Sequence, residues 1–135
     1  MGSVAEAIGD WLAASSAITT ALGGDRIYRD HAPEATSLAK HIVVHEGIVR
    51  SKIHREAAKN ELAQVDLWQR QVDDDGTLAE DPTLIDLVEQ RLDEAVINGG
   101  PSGRMSTELV SSIRLLEQDT GLVHHAVTVR VSRTP

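Results

Sequence analysis

The sequence has no cysteine, which excludes a disulfide framework, a thiolate zinc site and cysteine catalysis together. It has no phenylalanine, and its only aromatics are Trp11, Trp68 and Tyr28. The core must therefore be built from Val, Leu, Ile and Ala. Large aromatic anchors, the usual hot spots of protein interfaces, are nearly missing. Partner binding is expected to spread over a broad surface, with Trp68 and Tyr28 the first aromatics to consider. No apolar run approaches the ~20 residues a membrane helix needs. MGSVAEAIGDWL has no basic region before an apolar stretch and VSRTP carries no lipidation signal, so a protein made in the cytoplasm is expected, with no membrane partner. Positive charge is also scarce: 13 Lys+Arg stand against 21 Asp+Glu, a formal charge of -8 in 135 residues. That length fits one domain, residues 1–135, and 41% hydrophobic composition argues against disorder.

The charge is uneven. Residues 1–25 carry three acids and no base, and residues 26–60 carry seven bases against four acids. Residues 61–98 carry eleven acids against two bases. Concentrated negative charge disfavours tight nucleic-acid binding, which needs Lys and Arg to displace counterions from phosphates.

Apolar spacing predicts an amphipathic helix over 3–14 and a short helix ending at Gly23-Gly24. Residues 25–28 read as a short extended piece and 30–39 as a loop around Pro33. HIVVHEGIV (41–49) is rich in β-branched residues and reads as a strand. Residues 50–60 read as an exposed basic loop. Ala63, Val65 and Leu67 alternate with polar neighbours, giving a second strand that ends at the Asp73-Asp74-Asp75-Gly76 turn. Asp81-Pro82 opens a helix expected over 82–97, and the Gly-rich stretch 98–106 reads as a flexible connection. Two alternating strands, from Leu109 and from Val123, form a closing hairpin around Asp119-Thr120-Gly121. The expected class is α/β (α+β): one mixed or antiparallel sheet with helices packed on one face.

Signatures of chemistry are weak. On a strand, His41 and His45 share a face but sit about 13 Å apart, too far for one ion. His45-Glu46-Gly47-Ile48-Val49 begins like H-E-x-x-H but ends in Val. His124 and His125 point to opposite faces, and His125, in the apolar row of Val123 and Val127, reads as a hydrogen-bonded core or interface histidine. Placing Gly76 sixth in a calcium loop puts Gln71 first and Pro82 twelfth, where acidic ligands belong. Gly99-Gly100-Pro101-Ser102-Gly103 lacks the Lys and the helix of a phosphate loop. No catalytic residue, cofactor or metal ligand is assigned.

The order of segments carries more. A short helix leads through TALGGDRIYRDHAP into a strand; after a loop, ELAQVDLWQRQ precedes a helix of the DPTLIDLVEQRLDEAV kind; SSIRLLEQDTGLVHHAVTVRVS closes the chain. Over residues 4–133 this resembles the tail terminator (tail completion, or tail-to-head joining) proteins of long-tailed bacteriophages. The resemblance implies a non-enzymatic virion protein at the head-proximal end of the tail. It would form a homo-hexameric ring on the major tail tube protein, stop tube polymerisation and present a docking surface to the head–tail connector or neck protein. DNA would pass through the ring without tight binding. On this reading Arg50, Lys52, Arg55 and Lys59 form a loop that docks on the tube or a partner. Asp73, Asp74, Asp75, Asp86, Glu89 and Asp93 line an acidic lumen or a subunit interface, where phosphates would not adhere. Two other readings stay open: a neck or head-completion connector, and a small metal-binding protein or enzyme using His41, His45 and the acidic turn.

Overall fold

The computed structural model describes residues 3–30, 40–49, 60–72, 75–100, 103–117 and 120–134. Helix α1 spans Val4–Ala13 and buries Val4, Ala5, Ala7, Ile8 and Leu12, one face at helical spacing. Ser3 caps it by accepting the Glu6 N–H at 3.0 Å. Helix α2, Ser16–Leu22, starts on the Ser15 cap and stops at Gly23, whose φ of 82° is the left-handed conformation that glycine adopts freely. Strand β1 is the short Ile27–Arg29. Strands β2 (His41–Val49) and β3 (Asn60–Arg70) follow. Helix α3 is Pro82–Leu92, capped by Asp81. Strands β4 (Ala95–Gly100), β5 (Gly103–Glu117) and β6 (Leu122–Thr134) complete the chain.

The strands form one six-stranded sheet in the order β1-β2-β3-β6-β5-β4. β1 pairs with β2 in parallel, and every other pair is antiparallel. The centre is the β3–β6 pair, in unbroken register from Asn60↔Ser132 to Arg70↔Leu122. All three helices pack on one face, and their buried side chains join Ile42, Val44, Ala63, Val65, Leu67, Val127, Val129 and Val131 in a single core. The expected aliphatic core and the mixed sheet with helices on one face are therefore present. α1 touches β1 and β2 at one end of the sheet and β4 at the other, so the sheet curves around it as a half-barrel.

Two segments differ from expectation. The helix expected over 82–97 ends at Leu92. Asp93 turns to extended backbone and Glu94 takes a φ of 52°. Ala95 and Ile97 are then buried while Val96 and Asn98 are exposed, the period of a strand. Leu92, Ala95 and Val96 continue the helical apolar stripe in sequence, which conceals this switch. The Thr107 hydroxyl donates to the Leu92 carbonyl, satisfying a group at the helix end. Within 98–106, expected as a connection, residues 98–100 belong to β4 and 103–106 to β5, with Gly100↔Gly103 as their last pair. β5 thus begins at Gly103, ahead of Leu109 where a strand was expected.

Candidate functional site

Acidic charge collects around α3. α3 packs over β5 and β6, and residues 75–94, which include it, carry seven acids and the single base Arg91. Of the acids singled out in the sequence, Asp86 and Asp93 are exposed and Glu89 is half-buried. Asp93 is also structural, because its Oδ1 accepts the Leu109 N–H at 3.2 Å. Asp75 is exposed, and Thr77 hydrogen bonds hold its carboxyl below the usual range. Asp73 and Asp74 lie outside the described residues. Arg26, Arg29 and Lys40 flank β1 and β2 among the acids Glu6, Asp10, Asp25 and Asp30, and Lys40 lies close enough to Asp81 to help lower its carboxyl. The expected docking loop, with Arg50, Lys52, Arg55 and Lys59, lies outside the described residues between β2 and β3.

The sheet face away from the helices carries a row of rings across four strands. Tyr28 and His41 have centroids 6.3 Å apart, His41 and Trp68 stack at 6.4 Å, and Trp68 and His124 stack at 4.1 Å. The register Trp68↔His124 puts the last pair side by side. Next to them Asp66 is buried at 4% exposure. Its Oδ2 lies 2.6 Å from His45 Nε2, and its Oδ1 accepts from Gln64 Nε2 at 2.8 Å. His124 Nε2 also lies 2.8 Å from Oδ1, but its approach is not aligned for a hydrogen bond. His41 and His45 share this face as their spacing predicts. One is engaged with Trp68 and the other with Asp66, and among the described residues no group of three or more His, Asp and Glu is placed to hold a metal ion.

His125 occupies the opposite face, paired with Leu67 and Arg114. Arg114 forks onto Glu80, with Nη2 to Oε1 at 2.7 Å and Nε to Oε2 at 3.0 Å. This holds the Glu80 carboxyl below the usual range. His125 Nε2 is 3.7 Å from Glu80 Oε2, and its Nδ1 has no hydrogen-bond partner. Burial pushes the imidazole down, outweighing the attraction of Glu80. The cluster clamps the segment before α3 to β5 and β6.

An open groove of about 520 Å³ runs between α1 and β1. Glu6, Asp10 and Asp25, the three acids of the first 25 residues, line it with Arg29. It pairs no nucleophile with a base, and its chemistry is that of a charged surface.

Residues 6–132 match the family described as Tail completion protein gp17. The chain belongs to that family. As a tail completion protein it is a structural component of the virion tail. Among solved structures it is similar to a chain in the virion of a native gene transfer agent particle. The TM-score is 0.75 and the identity 11%, over 97% of this chain and 94% of that one. At that identity the likeness speaks for the fold. No curated protein sequence matches the chain.

In this tail completion protein the sequence reading missed the surface residues Ile113 and Leu115, which are 53% and 49% exposed. A signal was available. Leu109, Val110, Ile113, Leu115 and Leu116 put apolar side chains on both parities of one strand, whereas a half-buried strand needs only one.

Proposed function

We propose that the chain is the tail terminator: its copies close into a hexameric ring on the last ring of the tail tube, end polymerisation and give the head its docking surface. The observation that carries this reading is family membership over nearly the whole chain. A ring closes through a heterologous contact, in which one patch meets a different patch on the neighbour. The role is structural and requires no catalysis.

In this assembly Arg50, Lys52, Arg55 and Lys59 dock on the tube or the adjoining partner. Asp73, Asp74, Asp75, Asp86, Glu89 and Asp93 face the lumen or the joint between subunits. Acids around the passage keep DNA moving, since phosphates find no counter-charge there.

The test is to polymerise purified tail tube protein with and without this chain and image the ends. Rings at one end, with elongation arrested, are the expected result. Tubes that grow unchecked and undecorated, while the chain binds the head-side connector instead, would assign it to the neck.

A further inference from the structure

A second groove, of about 480 Å³, opens beside the segment that leads into α3. Leu22, Leu78 and Ala79 give it apolar walls. Three bases line it as well: Arg26 just before β1, Lys40 just before β2 and Arg70 at the end of β3, and among the described residues that line it none is acidic. Arg26 is fixed in place, since its Nη1 donates to the Leu22 carbonyl at 3.2 Å. Glu6, Asp10 and Asp25 line the groove between α1 and β1 instead, with Arg29, and Asp30 lies 4.0 Å from that same arginine. Asp81 is close to Lys40, but its Oδ1 is taken by the Thr83 N–H and hydroxyl. The groove is therefore positive on balance in a chain whose net charge is -8. Leu78 is 69% exposed at its rim. Its backbone is nevertheless held: Leu78 bridges Val72, and the Ala79 N–H donates to the Gln71 carbonyl at 3.0 Å. An apolar side chain offered on a fixed backbone loses little freedom when a partner covers it.

We propose that this groove seats the C-terminal end of α3 from a second copy of the chain, with Asp93 and Glu94 against its bases and Val96 against Leu78. The inference rests on the ring reading above and deepens it by naming both sides of the joint. Charge complementarity selects the occupant. Asp93 and Glu94 are exposed, and Arg91, the base nearest them in sequence, is turned onto Trp11. Asp93 gives one oxygen to the Leu109 N–H, which fixes the carboxylate. Glu94, at a φ of 52°, turns the chain out of the helix, and Val96 follows, 46% exposed on the last strand of the sheet. Two carboxylates beside an exposed aliphatic side chain are the counterpart of cations beside an exposed leucine. One copy cannot make this contact with itself. The groove lies at one end of α3 and Asp93-Glu94 at the other, and the 11 residues of the helix hold them about 16 Å apart. A contact between unlike patches repeats from copy to copy, as a closing ring requires. A phosphate backbone suits the groove less, because Leu78 offers it nothing and the net charge repels it.

The test is a charge swap in the full chain. Lys40→Glu and Glu94→Lys are each expected to weaken self-association by about tenfold or more, because like charges then meet across the joint. Sedimentation reads this for the free chain and electron microscopy for the chain on tail tubes, with circular dichroism unchanged. Both substitutions in one chain restore opposite charges, and association is expected to return to within about threefold of wild type. Leu78→Ser changes only an exposed side chain and is expected to weaken association by about tenfold as well, so it gives the answer if Lys40→Glu unfolds. Rings that form at wild-type strength from Glu94→Lys and Leu78→Ser overturn the joint but leave the ring reading standing. So does a double variant that stays as weak as the single ones, since the groove and the helix end then do not meet. Variants that form normal rings but no longer bind the tube also overturn the joint and assign the groove to the tube protein. A wild-type chain that never self-associates, alone or at tube ends, overturns both readings.

Discussion

Trp11 and Arg91 exchange hydrogen bonds with each other's main chain. The indole Nε1 donates to the Arg91 carbonyl at 2.7 Å, and Arg91 Nε donates to the Trp11 carbonyl at 3.0 Å. The guanidinium carbon also lies 3.7 Å from the indole centroid. This double link ties α1 to α3. Lysine keeps the charge but loses the planar fork and most of the stacking. Arg91→Lys is expected to cost about 1–2 kcal/mol in urea denaturation.

Gln69 is wholly buried, and its side-chain amide brackets the backbone of Asp81. Oε1 accepts the Asp81 N–H at 2.8 Å and Nε2 donates to the Asp81 carbonyl at 3.4 Å. Asp81 is the N-cap of α3, so one side chain on β3 fixes where the acidic helix begins. Gln69→Leu leaves the buried Asp81 N–H without its acceptor, while the Asp81 carbonyl keeps the Leu84 N–H at 3.3 Å, and a loss of about 1–3 kcal/mol is expected in the same measurement.

Much of this was legible in the chain, and the exceptions share a cause. β3 and β6 follow as strands from their alternation, though not their pairing with each other, and α1 and α2 follow from their stripes and caps. α3 overran because Leu92, Ala95 and Val96 fit a helical stripe and a strand start equally well, and only the partner strand decides. The Asp66 and Glu80 clusters were not legible. Each joins residues far apart in sequence, from three segments in one case and from a loop and two strands in the other. The acids singled out for charge alone were only partly brought together, on and beside α3.

Acid should loosen the Glu80–Arg114–His125 clamp in two stages. Burial lowers the His125 pKa from its ordinary 6.5. The unfolded chain therefore takes up that proton first as pH falls, and stability declines from just above 6.5 downward. The Arg114 hydrogen bonds lower the Glu80 pKa from its ordinary 4.5, so its contribution is lost lower down, in the same direction. Melting temperature measured from pH 8 to pH 3 should fall accordingly. His125→Leu is expected to flatten the upper part of the curve and Glu80→Gln the lower part.

If residues 50–60 form the exposed loop expected from the sequence, reversing Arg50, Lys52, Arg55 and Lys59 to Glu should leave the melting temperature of the free chain within about 1–2 °C of wild type, since surface changes seldom alter stability much. Tube capping, read by electron microscopy, is expected to be lost. Normal capping by the reversed variant would remove the segment from the docking contact.

The sheet's two ends reach each other through α1, which touches β1 and β2 on one side and β4 on the other. The helix acts as a mandrel on which the strands are bent. Its first turn already buries Val4, Ala5 and Ala7, so trimming the chain inside α1 would let the sheet relax toward a flatter twist. In the proposed ring the radius would follow that bend, which places control of the bore in the opening dozen residues.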